Sequence, residues 1–366
     1  MVTFKVQDNF TQINLALQEH LKGKMNHCRI KFLSQMILAL CKVQTVTFNK
    51  LATAFETQGQ ASAESSLRRI QRFVAEYVLD LDLMAKITMK LIPVKGPYHL
   101  AIDRTNWDFG KFKINILALG IVYDGCAFPI LFTILPKKGN SNTDERKVLL
   151  NRFIRLFGKA SIGSLLADRE FVGKDWVNFL EQKEISYFIR IKENFLVCFS
   201  NGKKVKAHRL FQNLKVGEIA KRSQPVLVNG VTCYLTASRV KIADGKTALQ
   251  LIISYHQNQC PIKTYKKRWQ IETMFKALKS SGFNLEKTHL NQGERLAKLL
   301  VIVLLAYTWA YKTGIYLHEK IKKIKNKSHG RKAKSFVKYG LEFLAEILLN
   351  PFNPPKINVF KFLSCT

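Results

Sequence analysis

The stretch YHLAIDRTNWDFGKFKINILALGIVYDGCAFPILFTIL, residues 98–135, decides the fold class. It contains three apolar runs that are rich in the β-branched and aromatic residues typical of strands. The pair Asp124-Gly125 between the second and third runs is a typical hairpin turn. The stretch therefore predicts three antiparallel strands, and the first apolar run, 98–103, ends in a carboxylate, Asp103.

The following segment alternates between helix and strand patterns. A helix is predicted from about residue 144 to 157, a strand over 162–167 that ends at Asp168, a helix over 174–182 and a strand over 185–191. Three hairpin-connected strands followed by this alternation give the order βββαβαβ. That order predicts an α/β fold with a mixed sheet and helices on its faces.

The rest of the chain divides at changes of pattern. Residues 1–95 have helical periodicity and end near Gly96-Pro97, residues 193–262 contain short strands and Asn-Gly or Asp-Gly turns, and helices resume afterwards. The predicted organisation is an all-α N-terminal domain (1–95), an α/β domain (96–192 and 263–312), an inserted β subdomain (193–262) and a basic helical C-terminal region (313–366).

Composition limits the class of protein. The 366 residues include 59 Lys and Arg but only 26 Asp and Glu, which gives a formal net charge of +33. With 47% hydrophobic residues the chain can build a core, which excludes a disordered basic protein. A solvated basic surface is one interpretation of the charge. Nucleic acid is the other, because a polyanion relieves the self-repulsion of so large an excess.

Cysteine usage and hydropathy predict the compartment. Seven cysteines, an odd number without a CxxC pair, indicate a reducing compartment and argue against disulfides and structural zinc. The longest apolar run, 299–311, is too short for a membrane span and predicts a buried helix. We therefore expect a cytoplasmic protein that does not span a membrane.

A helix–turn–helix is one interpretation of residues 45–74. It places Arg68, Arg69 and Arg72 on or near a recognition helix that reads DNA. An ordinary helical bundle with a charged outer face is the alternative.

Three carboxylates are the candidate metal ligands. Asp103 and Asp168 each end an apolar strand, where sites of α/β sheets collect, although a single such Asp is more often a turn former. Glu272 lies in a helical pattern with Tyr265, Arg268 and Lys279, and the four side chains share a face about 60° wide at helical spacing. A solvated stripe in which Glu272 pairs with Arg268 and Lys276 is the alternative. Carboxylate oxygens suit Mg²⁺ or Mn²⁺, and two such ions support phosphodiester chemistry.

These motifs resemble a known family. Asp103-Arg-Thr-Asn-Trp, Asp168-Arg-Glu-Phe and the spacing Tyr265-x2-Arg268-x3-Glu272-x6-Lys279 are similar to those of DDE transposases of bacterial insertion sequences, in the insertion-sequence-four family. The resemblance covers roughly residues 62–345. It implies an RNase H-like catalytic domain with a β-strand insertion, and Asp103, Asp168 and Glu272 as ligands of two metal ions.

The resemblance also implies partners and a reaction. Tyr265, Arg268 and Lys279 would contact transposon-end DNA, the N-terminal helices would bind terminal inverted repeats, and a homodimer would pair the two ends. Cleavage through hairpin ends would precede transfer of 3′-OH ends to target DNA. Two alternatives remain: another RNase H-like nuclease such as a junction resolvase, and a non-catalytic DNA-binding domesticated copy.

Neighbouring residues complete the predicted site. Lys276 adds positive charge beside Glu272, while Arg104 and Arg169 adjoin the two Asp ligands and either pair with them or touch phosphate. We expect Trp107 and Trp269 to pack beneath the site. Glu170 is expected to point away from it.

Overall fold

The computed structural model describes residues 9–55, 62–257, 260–328, 330, 332–350 and 357–364. They form two compact units. The described parts of Met1–Pro93, Trp107–Ile114 and Thr273–Thr366 make a mainly helical unit, and those of Val94–Asn106 and Asn115–Glu272 make a unit built on a sheet. We call them the helical unit and the sheet unit.

The sheet has eleven strands among the described residues. They are β1 Tyr98–Phe109, β2 Phe112–Tyr123, β3 Cys126–Ile134, β4 Ile162–Ala167, β5 Tyr187–Ile191, β6 Leu196–Cys198, β7 Lys204–Lys206, β8 Ile219–Lys221, β9 Val226–Val228, β10 Val231–Lys241 and β11 Thr247–Ser254. Their order is β3-β2-β1-β4-β5-β11-β10-β9-β6-β7, with β8 beside β10. β4 is parallel to both β1 and β5, and the β2–β3, β5–β11 and β10–β11 pairs are antiparallel. The predicted mixed α/β fold is confirmed, and it fits an RNase H-like domain.

The predicted βββαβαβ order is observed. Between the strands lie α6 Thr143–Phe157 and α7 Lys174–Gln182, whose bounds lie within one residue of those predicted. α6 begins with a capping box, in which Asn142 and Glu145 each bind the other's backbone N–H. At the β2–β3 hairpin, Asp124 and Gly125 have φ values of 38° and 79°, which suit the turn that the sequence predicts.

The segment before Glu272 is not one continuous helix, which corrects the geometry expected from a period of 3.6 residues. α8 Pro261–Lys266 ends, and α9 Trp269–Lys279 begins, across a tight turn. There the backbone N–H of Arg268 donates to the carbonyl of Tyr265, and that of Ile271 to the carbonyl of Arg268, both over three residues. Bonds over three residues wind the chain more tightly than an α-helix, so the angles between these side chains differ from those of a regular helix, although Tyr265, Arg268 and Glu272 still contact one cluster of carboxylates.

The helical unit consists of N- and C-terminal helices. They are α1 Asn9–Leu21, α2 His27–Val43, α3 Phe48–Thr53, α4 Ala63–Glu76, α5 Leu81–Leu91, α10 Gly293–Tyr316 and α11 Phe336–Leu349, with a short π-helix at Leu317–Ile321 and a 3₁₀ turn at Val359–Leu363. Gly314 of α10 and Gly340 of α11 let the two backbones meet, because a Cβ on Gly314 would lie 1.9 Å from the carbonyl oxygen of Phe336.

Helix α10 is the core of this unit. The stretch Gly293–Ile321 is long and apolar enough to cross a membrane by length and composition, yet 83% of its most apolar window is buried inside the protein. Such burial is what the core helix of a soluble protein shows, and it agrees with the buried helix predicted over 299–311.

The observed units divide the chain differently from the four predicted ranges. The described parts of 1–95 and 313–366 belong to one helical unit, and the strands of 193–262 extend the same sheet through the β5–β11 pair. Both differences depend on pairings between segments far apart in sequence.

Candidate active site

The sheet register brings the two Asp residues together. In the parallel β1–β4 pair, Ile102 lies opposite Ala167, so Asp103 and Asp168 follow at equivalent positions. Carboxyl ends of parallel strands share one edge of a sheet, where ligand sites form. Asp168 follows β4 as predicted, whereas Asp103 lies within β1, which continues to Phe109, so the prediction that each Asp ends a strand is wrong for Asp103.

Asp103 is held in a mostly buried position. Its side chain is 17% exposed, and its Oδ1 accepts a hydrogen bond of 2.8 Å from the backbone N–H of Arg104. Burial raises the pKa of Asp103 from 3.8 to about 6. Arg268 and the Arg104 N–H oppose the rise, and the negative charges of Asp168 and Glu272 add to it. Asp168 and Glu272 therefore both lie within electrostatic reach of Asp103.

Arg268 joins two of these carboxylates. Its Nη1 lies 3.0 Å from Asp103 Oδ2, and its Nη2 lies 2.5 Å from Glu272 Oε1. The side chain is only 8% exposed, so the solvated-stripe alternative is wrong for Arg268, although the Arg268–Glu272 pair that it expected is present. Burial tends to lower the pKa of Arg268, but Tyr265 and the carboxylates Asp103 and Asp168 raise it above its ordinary value.

Tyr265 connects α8 to the other Asp. Its hydroxyl donates a hydrogen bond of 3.2 Å to Asp168 Oδ1, and its ring lies 5.7 Å from the guanidinium carbon of Arg268. Burial raises the pKa of Tyr265 to about 12, so the hydroxyl keeps its proton and acts as a donor. Tyr265, Arg268, Asp103, Asp168 and Glu272 thus form one connected cluster.

The donor set of this cluster fits a divalent cation. Asp103 and the two carboxylates within its electrostatic reach, Asp168 and Glu272, offer the hard oxygen ligands that Mg²⁺ and Mn²⁺ prefer. Within the described residues, however, three or more acidic, His or Cys side chains do not converge closely enough to hold an ion. The Arg268 guanidinium takes the place of a cation between Asp103 and Glu272.

The two arginines beside the Asp ligands have different surroundings. Arg104, predicted to pair with the ligands or contact phosphate, directs its guanidinium to Glu170, Asn115 and Asn140 instead. Arg169 is exposed and makes no hydrogen bond or ion pair with the residues that the structure describes. Arg169 alone is therefore placed as a phosphate contact would need.

Glu170 is a residue that the sequence reasoning missed. The chain does not continue as a strand after Asp168 but forms a 3₁₀ turn over Arg169–Phe171, and this turn directs Glu170 towards Arg104. An acid two residues after a candidate ligand, in a chain short of acids, was the available signal.

The second half of α9 belongs to the helical unit. Lys276 is exposed and has no hydrogen-bonding or ionic partner for its ammonium among the described residues. Lys279 Nζ lies 2.8 Å from Glu286 Oε1 and 5.9 Å from the centre of the Trp107 ring. Trp107 is buried as expected, whereas Trp269 of the sheet unit is 60% exposed, which contradicts the expectation that it packs.

The three predicted N-terminal arginines lie on the exposed side of α4. Arg68 pairs with Glu64 at 2.6 Å, and Arg69 contacts Gln35 and the Phe32 ring. Arg68 and Arg72 also line a groove of about 610 Å³ in the helical unit. The other charged or titratable residues of its lining are Glu76, Lys287, His289 and Arg295.

The walls of this groove are tied together. The Lys298 ammonium of α10 donates to the carbonyl oxygens of Val74 and Ala75 near the end of α4, at 3.0 and 3.4 Å. Arg72, Lys287 and Arg295 form no ion pair with a residue in the described ranges. The groove therefore has an excess of uncompensated positive charge, as polyanion-binding surfaces do.

The comparisons with known proteins agree with the geometry. A family model described as a transposase DDE domain matches residues 94–309. This range contains all three candidate ligands and more than half of the chain. No curated protein matches the chain.

Proposed function

Because the chain belongs to the transposase DDE domain family, we propose that it is a cut-and-paste DNA transposase of the insertion-sequence-four family. Its transposase function and dependence on a divalent metal follow from the family. The observation that carries the finer proposal is the cluster of Asp103, Asp168 and Glu272, in which Tyr265 and Arg268 bind the carboxylates directly. These five residues stand at the motif positions that the resemblance assigns, and their contacts within one cluster support the proposal.

Asp103, Asp168 and Glu272 would hold the metal, which we propose to be two Mg²⁺ or Mn²⁺ ions. When bound, such ions activate a water or a 3′-hydroxyl and stabilise the leaving oxygen of a phosphodiester. Asp103 and Asp168 are already fixed by the sheet, so Glu272 on α9 is the ligand that must be brought to them. For Asp103 and Glu272 to turn towards metal, Arg268 has to release at least one of them.

DNA near the cleaved bond would be held by cations of the same motif. Arg169 and Lys276 are exposed and unpaired within the described residues, so they can receive phosphate without breaking an existing ion pair. Arg268 and Lys279 now pair with carboxylates and would exchange them for phosphate. The Tyr265 hydroxyl would orient Asp168 and contact the same strand.

We further propose that the helical unit recognises the terminal inverted repeats. Arg68, Arg69 and Arg72 lie on the exposed side of α4, and the groove beside them adds Lys287 and Arg295. A homodimer would pair the two transposon ends in the cytoplasm, on the nucleoid. The reaction would then proceed by nicking, hairpin formation and opening at the transposon end, and transfer of the 3′-OH ends into target DNA.

A cleavage assay tests the proposal. The protein is incubated with Mg²⁺ or Mn²⁺ and a duplex carrying the inverted repeats that flank its gene, and the products are examined for 3′-OH nicks and hairpin ends. Asp103→Ala, Asp168→Ala and Glu272→Ala should each abolish cleavage. Asp175→Ala, which removes an exposed carboxylate of α7, is the matched control and should cut normally.

The outcomes separate the alternatives. Cleavage that survives all three substitutions would exclude this active site. Nicks without hairpin ends or strand transfer would favour another RNase H-like nuclease. Binding of the repeats without cleavage under any metal would favour a non-catalytic DNA-binding copy.

A further inference from the structure

We propose that the ion pair between Arg104 and Glu170 is a positioning device that sets the separation of the Asp103 and Asp168 carboxylates for metal binding. The proposal rests on the proposed function, because it assigns a role towards the metal that these carboxylates would hold. It replaces the phosphate contact predicted for Arg104 and gives a role to Glu170.

The pair has two-point geometry. Arg104 Nε donates to Glu170 Oε1 at 3.1 Å, and Arg104 Nη2 donates to Glu170 Oε2 at 3.3 Å. Two parallel N–H···O bonds fix the orientation of both groups as well as their distance. The side chains are 15% and 19% exposed, so water competes little for either partner.

Each partner is connected to one of the candidate ligands. The backbone N–H of Arg104 donates to Asp103 Oδ1 at 2.8 Å, so the main chain that the Arg104 side chain anchors also orients the Asp103 carboxylate. Glu170 lies in the 3₁₀ turn that begins at Asp168, in which the N–H of Phe171 donates to the Asp168 carbonyl at 2.9 Å. The Arg104–Glu170 pair therefore connects β1 to the turn that follows β4, beyond the last pair of the β1–β4 ladder.

A buried arginine anchors the Glu170 side of the bridge. Arg146 of α6 is 5% exposed, and its Nη2 donates to the Glu170 carbonyl at 3.2 Å. Its guanidinium also binds Ser141 and lies 4.7 Å from the centre of the buried Phe171 ring. Ser141 in turn directs its N–H and hydroxyl to Glu170 Oε1, at 3.3 and 3.4 Å.

The Arg104 side is anchored equally well. Its Nη1 donates to Asn115 Oδ1 at 3.0 Å, and Nη2 also reaches Asn140 Oδ1 at 3.2 Å. Asn115 is buried, and its amide donates to the carbonyls of Lys137 and Gly139. A phosphate could take Arg104 only by leaving the half-buried Glu170 carboxylate without its cation, which is unfavourable. These contacts therefore favour a fixed internal role over DNA binding.

Metal affinity is the readout that distinguishes positioning from general stabilisation. Mn²⁺ alone is titrated into the full chain without DNA, and the free ion is followed by electron paramagnetic resonance at a temperature well below unfolding of each variant. Arg104→Gln and Glu170→Gln should each bind Mn²⁺ about 10- to 100-fold more weakly, the usual effect of losing a group that orients a ligand. Arg104→Lys keeps the charge but loses the two-point contact, so its Mn²⁺ affinity should fall by less than that of Arg104→Gln. Because it is the more conservative change, it also shows whether a loss of Mn²⁺ affinity is due to misfolding.

Two further measurements sharpen the test. The double variant Arg104→Gln/Glu170→Gln should bind Mn²⁺ no more weakly than either single variant, because the pair can be lost only once. DNA affinity in EDTA, and its dependence on salt, should match the unaltered protein. Glu184→Gln, which removes the exposed ion pair with Lys159 in the same unit, is the control and should change none of these quantities.

Three results would overturn the proposal. Folded Arg104→Gln and Glu170→Gln proteins that bind Mn²⁺ as tightly as the unaltered chain would show that the pair has no positioning role. Weaker DNA binding with a smaller salt dependence, at unchanged Mn²⁺ affinity, would place Arg104 on phosphate. If the unaltered chain binds no Mn²⁺ and cuts no DNA, the proposed function itself fails and the inference fails with it.

Discussion

Replacing Asp103 with Asn should stabilise the metal-free protein while abolishing its activity. Asp103 is a buried carboxylate whose ionised form is unfavourable in the folded chain without metal. Asn has nearly the same shape and carries no charge. The substitution therefore removes the cost of the buried charge while keeping most of the packing.

The pKa shift gives the size and the sign of the effect. Burial raises the pKa of Asp103 from 3.8 to about 6. The charges of Asp168 and Glu272 add to this rise, while Arg268 and the Arg104 N–H oppose it. A shift of about two pKa units corresponds to roughly 3 kcal/mol between the two protonation states. Below pH 3.8 the carboxyl is protonated in both the folded and the unfolded chain, so Asn brings no advantage. The advantage grows between pH 3.8 and 6 and is complete above pH 6.

Urea unfolding in EDTA measures this difference. Trp176 is fully buried in the sheet unit, and its fluorescence reports the transition of that unit. We expect the Asp103→Asn variant to have a higher free energy of unfolding at pH 7.5, by up to about 3 kcal/mol, and no significant advantage near pH 3.5. Asp175→Asn is the matched control: Asp175 is an exposed carboxylate of α7 in the same unit, and its loss should change the free energy of unfolding by less than about 1 kcal/mol.

With divalent metal present, the unaltered chain should be more stable to unfolding than the Asp103→Asn variant. Mg²⁺ or Mn²⁺ would stabilise the unaltered chain by binding its folded state, and would have little effect on Asp103→Asn. A variant that is less stable than the unaltered chain at pH 7.5, or more stable by the same amount at both pH values, would refute the electrostatic reasoning.

Three further substitutions test other parts of the structure. Gly314→Ala should destabilise the helical unit by several kcal/mol, because the added Cβ would overlap the α11 backbone. This cost exceeds the advantage of about 1 kcal/mol that Ala has over Gly in helix propensity. Thermal unfolding measures the effect against the control Gly173→Ala, in which the added Cβ meets open space. Arg72→Gln should weaken DNA binding and reduce the slope of log affinity against log salt by about 1, whereas Lys159→Gln should not; fluorescence anisotropy over a salt series measures both. Tyr265→Phe removes one hydrogen bond to Asp168, so it should slow cleavage about tenfold but lower the free energy of unfolding by only about 1 kcal/mol. Single-turnover cleavage measures the first effect and urea unfolding the second.

Local signals were sufficient to predict the central strands and helices of the sheet unit. The strand 162–167 and the helix 174–182 have the predicted bounds, because apolar runs of the right length are bounded there by polar turns. Asp103 and Asp168 were identified for the same reason, since each is the first acidic residue after an apolar run, although β1 continues past Asp103. Such features depend on neighbours in sequence, which a single chain reveals.

Features that depend on distant segments were not predictable in this way. The tight turn at Lys267 and Arg268 leaves the apolar pattern almost unchanged, so the pattern predicts one continuous helix where the chain forms two. The orientation of Glu170 depends on Arg104, 66 residues earlier. Nothing near residue 43 or 336 in sequence indicates that the N- and C-terminal helices form one unit, since that depends on packing between the chain ends.

The guanidinium of Arg268 gives this site its own built-in counter-ion. A carboxylate cluster of this kind would otherwise repel itself in the absence of metal, and the arginine relieves that repulsion within the folded chain. Metal loading at the proposed site would then be an exchange of one cation for another rather than the filling of an empty site. A DNA phosphate that arrives beside Arg268 offers the displaced guanidinium a new anion. We therefore expect metal and DNA to bind cooperatively, each raising the affinity for the other by the same factor.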